Sequence, residues 1–193
     1  MSVSIAKNSR VSLAKSSGNP LSKLFIGAGW DPIKKEGGFF SRLLSSDDVD
    51  LDLSLVLFDV NGDVIDLVWF QKKKSNCGNV IHSGDNLTGD GDGDDEVIKV
   101  NLNGLSENVK AIGVTINSFS SHNFGDVENC YCRVLDQNHK ELVKFDLQEL
   151  HDKKAVFVAA IVRNGDDWEF EAKGAPSNGR TVLDSIPNIK DSF

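Results

Sequence analysis

Residues 85–96 read Asp-Asn-Leu-Thr-Gly-Asp-Gly-Asp-Gly-Asp-Asp-Glu, with six carboxylates, three glycines and no cation. Charge of one sign at this density repels itself in any ordered loop, and a bound cation removes the penalty. Gly89, Gly91 and Gly93 let the backbone turn where other residues resist, so that side-chain and carbonyl oxygens can converge. The stretch holds no cysteine or histidine. Hard oxygen donors point to calcium, which takes roughly six to eight of them, with magnesium second because it holds to stricter octahedral geometry and retained waters. A solvated acidic loop is the plain alternative, since charge runs usually face water.

Two known loop types can be tested on these residues. Asp90, Asp92 and Asp94 fit the first three ligand positions of an EF-hand. The glycine that should follow is Asp95, the closing glutamate is Asn101, and strand-like Val-Ile-Lys-Val-Asn-Leu stands where a helix is required. The Gly-Asp alternation also resembles β-helix calcium repeats, which need many copies where this chain has one. A second acidic run, Asp48, Asp50 and Asp52, places three carboxylates on one strand face. If that strand end abuts the 84–96 loop, two neighbouring ions would share ligands.

Other polar residues carry weaker signals. Asp31 after Trp30 is a ligand candidate or a turn former before Pro32. Asn86 offers a carbonyl ligand or an Asx-turn. His82 reads as a strand-end hydrogen-bonding residue, because imidazole suits softer metals. Lys72, Lys73 and Lys74 read as a solvated strand edge protected against pairing. Trp30, Trp69 and Trp168 read as packing residues. Cys77, Cys130 and Cys132 lack metal or redox spacing and read as reduced structural thiols. No histidine stands in an arrangement that would activate a nucleophile.

The elements that must position these residues are strands. Short alternating runs are broken by Gly, Asn and Asp about every ten residues, the texture of an antiparallel β-sandwich or barrel. Strands are expected near 2–6, 10–14, 22–28, 50–59, 63–71, 96–102, 109–117, 127–135, 140–146, 155–163 and 167–173. Over 50–59, Leu51, Leu53, Leu55 and Leu57 make a core face, while the other face changes from Asp50 and Asp52 to Val56 and Phe58. Asn61-Gly62 predicts a type I′ hairpin turn. The run Ala-Val-Phe-Val-Ala-Ala-Ile-Val at 155–162 is apolar on both faces and predicts a central, covered strand. One short helix is expected from Gly179 to Ile186, stopped by Pro187. A Gly- and Ser-rich insertion at 34–48 reads as a mobile loop within a single domain of 193 residues.

Composition narrows the function. The chain carries 21 basic and 29 acidic residues, for a net charge of −8, which disfavours nucleic acid as a partner. No apolar run approaches the roughly 18 residues of a membrane span, and the first ten residues lack the apolar core of a secretory leader. Both point to the cytoplasm.

Several motifs together resemble the TerD family of bacterial tellurite-resistance and stress proteins. They are Ser2-Val3-Ser4-Ile5, Val11-Ser12-Leu13, Gly27-Ala28-Gly29-Trp30-Asp31, Asp50-Leu51-Asp52-Leu53-Ser54 and His82-Ser83-Gly84-Asp85-Asn86-Leu87-Thr88-Gly89 running into Gly93-Asp94-Asp95-Glu96. Arg133-Val134-Leu135-Asp136, Lys144-Phe145-Asp146-Leu147 and Trp168-Glu169-Phe170 complete them, in an order and spacing that cover nearly the whole chain. The insertion at 34–48 is longer than in the shortest members, and Leu53 stands where alanine is common. The resemblance implies an all-β antiparallel sandwich with calcium-binding loops at one end, at most one or two short helices and no catalytic activity. It carries the ligand role to Asp50, Asp52, Asp85, Asn86, Asp90, Asp94, Asp95 and Glu96, holding two calcium ions, and makes other stress and tellurite-resistance proteins, some membrane-associated, the expected partners. The expected function is a calcium sensor, buffer or scaffold. The alternatives are a calcium-dependent membrane-binding module and a metal-dependent hydrolase.

Overall fold

The structure is a computed structural model that describes residues 3–4, 6–32, 49–84, 87, 93–120, 122–147, 150, 152–177 and 179–190. Its strands are β1 (Val3–Ser4), β2 (Arg10–Ser12), β3 (Lys23–Pro32), β4 (Leu51–Phe58), β5 (Val64–Val68), β6 (Val80–His82), β7 (Glu96–Asn101), β8 (Ala111–Ser118), β9 (Val127–Asp136), β10 (Glu141–Asp146), β11 (Ala155–Asn164) and β12 (Asp167–Ser177). They form two six-stranded sheets, the first in the order β1-β10-β9-β3-β7-β6 and the second in the order β2-β12-β11-β8-β4-β5. Every pairing is antiparallel except that of β1 with β10. The α-helices of the described residues are α1 (Leu13–Ser17) and α2 (Val182–Lys190), with single 3-10 turns at Leu102–Gly104 and Phe124–Asp126. The mostly antiparallel expectation with few short helices therefore holds. The insertion read at 34–48 lies outside the described residues.

One apolar cluster joins the two sheets. Leu24, Ile26, Ala28 and Trp30 of β3 meet Leu51, Leu53, Leu55 and Leu57 of β4 within it, as the alternation of β4 predicts. Each of these leucines is essentially inaccessible, and full burial of such a side chain contributes roughly 1.5–3 kcal/mol. The opposite face of β4 is also covered. Val56 and Phe58 pack with Phe157 and Ala160 of β11 and with Val182 and Ile189 of α2 in a second cluster. This explains why 155–162 is apolar on both faces, since β11 sits between β12 and β8 with one face toward the other sheet and one toward α2.

Four local readings change. The turn after β4 is not type I′, because Gly62 has a positive φ of 77° and Asn61 does not. Asp59 organises it instead, its Oδ1 accepting the N–H groups of Asn61 and Asp63. Pro187 lies inside α2 and does not end it. Proline removes the hydrogen bond to the carbonyl of Leu183, but both residues are exposed, so water can serve that carbonyl while the helix runs on to bury Ile189. Residues 13–17 are helical, cutting short the strand expected over 10–14; Ser12 caps the Lys15 N–H, and Gly18, at φ 77°, closes the helix through its N–H on Ala14. β6 was missed because three residues are too few for a pattern.

The outer edges are closed locally. Beyond β6, the Lys73 carbonyl accepts the His82 N–H and Ser75 donates to the Val80 carbonyl, so the basic run borders that strand. At β5, Asp66 is buried and accepts from the N–H groups of Leu67 and Asn76 and from the Lys72 ammonium. Burial opposes ionisation of Asp66, but these donors outweigh it and hold the carboxyl below its usual range. At the other side, β1 and β2 are the outermost strands of the two sheets. No helix of the described residues is long and apolar enough to cross a membrane.

Candidate functional site

The acidic segment re-enters the described structure at Gly93 and leads into β7, beside the second half of β3. Along β3, Leu24, Ile26, Ala28 and Trp30 face the core, so Gly27, Gly29 and Asp31 face outward. A Cβ on Gly27 would collide with the Asp94 carboxylate, and one on Gly29 with the Tyr131 ring and hydroxyl. The Gly-Ala-Gly motif is thus a bare strip on which Asp94 and Tyr131 lie.

Asp94 is held there by charge. Arg133 Nε donates to its Oδ1 at 2.7 Å, and the Tyr131 hydroxyl lies within 3.1 Å of the same oxygen and donates to the Gly93 carbonyl at 2.8 Å. Arg133 also reaches Glu141, at 3.3 Å. Burial and the Asp94 charge push the Tyr131 hydroxyl up to about 12, so it stays a donor at neutral pH. Sequence reasoning did not single out Tyr131 and quoted Arg133 only within a family motif, without a role; the signal was their alternation with the inward Cys130 and Cys132.

Asp95 is tied to the backbone of β3. Its N–H donates to the Ala28 carbonyl, and its Oδ2 accepts the Trp30 N–H at 2.9 Å. Trp30 Nε1 in turn donates to the carbonyl of Val49, which links this corner to the start of β4. The Asp95 carboxyl is pushed up, first by burial and then by the charges of Asp31, Asp94 and Glu96, against the Trp30 hydrogen bond. Asp31 continues β3 and is not a turn; its Oδ2 accepts from Asn129 Nδ2.

Glu96 points the other way, into the core, and is inaccessible. A carboxylate there needs polar partners. Phe119 donates to the Asp50 carbonyl and Lys110 to that of Phe58, so the even residues of β4 bond toward β8 and the odd ones toward β5. β5 pairs only with residues 55–58, leaving the Leu53 N–H beyond its end, and Glu96 Oε2 accepts that N–H at 2.7 Å across the two sheets. His82, equally buried, places Nε2 at 3.5 Å from the same oxygen, while its Nδ1 accepts the Gly84 N–H. The strand-end reading of His82 agrees with this position.

Asp52 stands on the opposite face of β4 from Leu53, hence away from Glu96, and Asp50 precedes the strand. Of the ligand candidates, Asp94, Asp95 and Glu96 share one sheet end, Asp52 lies on the face of β4 beneath α2 with Asp50 just before that strand, and Asp85, Asn86 and Asp90 lie outside the described residues. Among the described residues no group of three or more His, Cys, Asp or Glu side chains converges in a metal-holding arrangement. The donor chemistry nonetheless fits a hard cation: the side chains acting on Asp95 are carboxylates, and its repelled carboxyl gains from a positive neighbour. Cys130 and Cys132 are buried and free, with burial pushing both thiols up, whereas Cys77 is exposed.

The TerD domain matches residues 1–186. "Tellurium resistance protein TerZ" of Serratia marcescens is 48% identical over 187 residues, covering 97% of this chain and 96% of the relative. "Stress response protein SCP2" of Bacillus subtilis (strain 168) is 38% identical over 197 residues, covering 96% and 98%. The crystal structure of a homologue of telluride resistance protein (TerD) from Streptomyces coelicolor A3(2) shares the fold, with a TM-score of 0.71 at 22% identity over 88% of this chain and 98% of that one. The chain belongs to the TerD-domain family, whose members include proteins named for tellurium resistance and for the stress response.

Proposed function

We propose that this chain is a cytoplasmic, non-enzymatic calcium-binding protein of the stress-response type, a sensor or scaffold whose acidic sheet end changes order with calcium. The observation that carries the reading is Asp95, whose carboxyl is pushed up by burial and by three neighbouring carboxylates. Asp85, Asn86, Asp90, Asp95 and Glu96 are the candidate ligands of the loop, with Asp94 contributing while Arg133 steadies it. Bound calcium would supply positive charge that offsets the mutual repulsion of these carboxylates. The chain's own residues set the rest: Trp30 and Ala28 fix Asp95, Leu53 fixes Glu96, and the Gly27-Gly29 strip seats Asp94. Ordering of the loop would then present a surface to other stress or tellurite-resistance proteins.

Calorimetry of chelator-treated protein tests this directly. Calcium should bind, and at a thousandfold excess over Kd it should add about 4 kcal/mol to stability. For a chain of this size that raises the thermal midpoint by roughly 10 °C. Equal shifts with magnesium, or none with calcium, would overturn the proposal.

A second reading, calcium-dependent docking on an anionic membrane, is favoured by one surface. Trp69, Phe70 and Phe119 form an edge-to-face aromatic row, Phe119 is 38% exposed, and Arg180 lies over its ring. Lys73 and Lys74 are exposed nearby in sequence, and the Phe119 N–H bonds the Asp50 carbonyl. Flotation with phosphatidylserine vesicles separates the readings: docking requires calcium-dependent recovery with the vesicles, lost in Phe119→Ser, whereas a purely protein-directed sensor stays unbound.

A further inference from the structure

The outer face of the first sheet is covered by no α-helix of the described residues. α2 lies on the second sheet, and Leu13 of α1 is buried in the core between the two. Cross-strand register draws one row over the open face: Lys74 opposite Ile81, Ile81 opposite Lys99, Lys99 opposite Phe25, and Phe25 opposite Leu135. Directly opposed residues share a face about 5 Å apart. Their neighbours Val80, Ile98, Leu24 and Val134 are buried in the core, which turns the row outward. Ile81 is 42% exposed, Lys99 lies 5.8 Å from the Phe25 ring centroid, and His139 stacks on that ring at 4.4 Å. Lys23, two residues from Phe25 along β3, joins the same face. Lys23, Lys74 and Lys99 are exposed, and none is ion-paired with a carboxylate of the described residues.

On a chain of net charge −8, lysines grouped around exposed apolar side chains reverse the local sign. Such a patch selects an anionic partner that also brings apolar surface. The chain itself carries that complement. Residues 85–96 hold six carboxylates and no cation, and Leu87 among them is 56% exposed. Asp90 and Asp92 are two residues apart, a separation of roughly 7 Å in extended backbone. Lys99 and Lys23 are diagonal neighbours on β7 and β3, about 7–8 Å apart. Gly89, Gly91 and Gly93 put no side chain between such a segment and the sheet. Asp94 already rests on this face against Arg133, so a carboxylate of this segment suits its chemistry. Within one copy, Asp94 lies over Gly27, while Lys23 stands at the opposite end of β3.

We propose that the outer face of the first sheet docks the acidic segment of a second copy of this chain, with Leu87 on Ile81 and Phe25 and the aspartates after it on Lys99 and Lys23. Segment and face belong to one sheet, so a two-fold axis lays each segment on the other copy's face and closes a dimer. Net charge repels two copies at a distance. At about 0.15 M salt that repulsion is screened beyond roughly 8 Å, and the local contacts decide. The dimer does not rest on the calcium reading and is tested without metal.

Sedimentation equilibrium of the chelator-treated full chain tests this with two charge-reversed proteins. One carries Lys23→Glu and Lys99→Glu on the face; the other carries Asp90→Lys and Asp92→Lys in the segment. Both lysines are exposed, so the first protein should melt as wild type does. Wild type should dimerise, and each variant alone should dimerise at least about tenfold more weakly, because like charges then meet at both contacts. Mixing the two variants should restore the dimer, since each segment again meets a face of opposite sign. Wild type that stays monomeric, or a dimer that neither variant weakens, would overturn the proposal. So would a mixture that remains monomeric. Flotation with phosphatidylserine vesicles in chelator adds a further arm: monomeric wild type that floats, with flotation lost in the Lys23→Glu, Lys99→Glu protein, would make the face a lipid surface and refute the dimer.

Discussion

Replacing Asp136 by alanine is expected to cost about 3 kcal/mol of stability, because a buried acceptor would be removed from three donors at once. Its Oδ2 accepts from Ser17 Oγ at 2.7 Å, and its Oδ1 accepts from the N–H groups of Asn138 and Lys140 at 2.8 and 3.0 Å. The residue is inaccessible, closes the β9–β10 turn and holds α1 to it. A loss of this size should lower the thermal midpoint by roughly 6–12 °C, and chemical denaturation measures it. Asp136→Asn, which keeps one acceptor oxygen, should lose clearly less; equal losses would refute the hydrogen-bond account.

The same carboxyl should register in the acid limb of stability. Burial works against its ionisation, but Ser17, the two backbone donors and the Lys140 charge hold it below its usual range. Asp66 is lowered in the same way. A carboxyl depressed in the folded state stabilises above its unfolded value and loses that contribution as pH falls through the folded one. Stability should therefore fall as pH drops below 3.8, the ordinary carboxyl value, and Asp136→Asn should flatten that limb.

Asp95→Asn is expected to act with opposite signs in two conditions. This carboxyl is raised in the folded state, so its charge weakens the fold as pH rises past the unfolded value. Removing the charge at neutral pH should raise the midpoint of chelator-treated protein, since the asparagine oxygen can still accept the Trp30 N–H. With calcium the order should reverse, because ligand charge tunes affinity and its loss should weaken binding by about tenfold or more, or about 1.4 kcal/mol. A lower midpoint without metal, together with unchanged calcium affinity, would remove Asp95 from the site.

Much of this architecture was legible in residue alternation. The leucines of β4, the doubly apolar β11 and the pairing of β9 with β10 follow from a period of two and from Gly, Asn and Asp at the breaks. What alternation cannot encode is the partner across space. Asp50 and Asp52 read as a charged start to an apolar face, yet only the register with β8 reveals Asn117 opposite Asp52 and Thr115 opposite Ser54. Asp94 and Glu96 read as one acidic cluster, but Asp94 precedes β7 and lies on the Gly27-Gly29 strip, whereas Glu96, the first residue of β7, points into the core. α1 was readable from its caps, Ser12 and Gly18, and was lost because its single turn is shorter than any helical pattern.

The placement of β1 and β2 has a further consequence. β1 borders β10 and β2 borders β12, so these two short strands form one outer edge of each sheet. Unpaired strand edges are templates for intermolecular pairing. Proteolytic trimming ahead of α1 would uncover the longer strands β10 and β12 together and convert two covered edges into adhesive ones. Resistance to aggregation under heat or oxidant damage thus depends on a terminal segment far smaller than the core it shields.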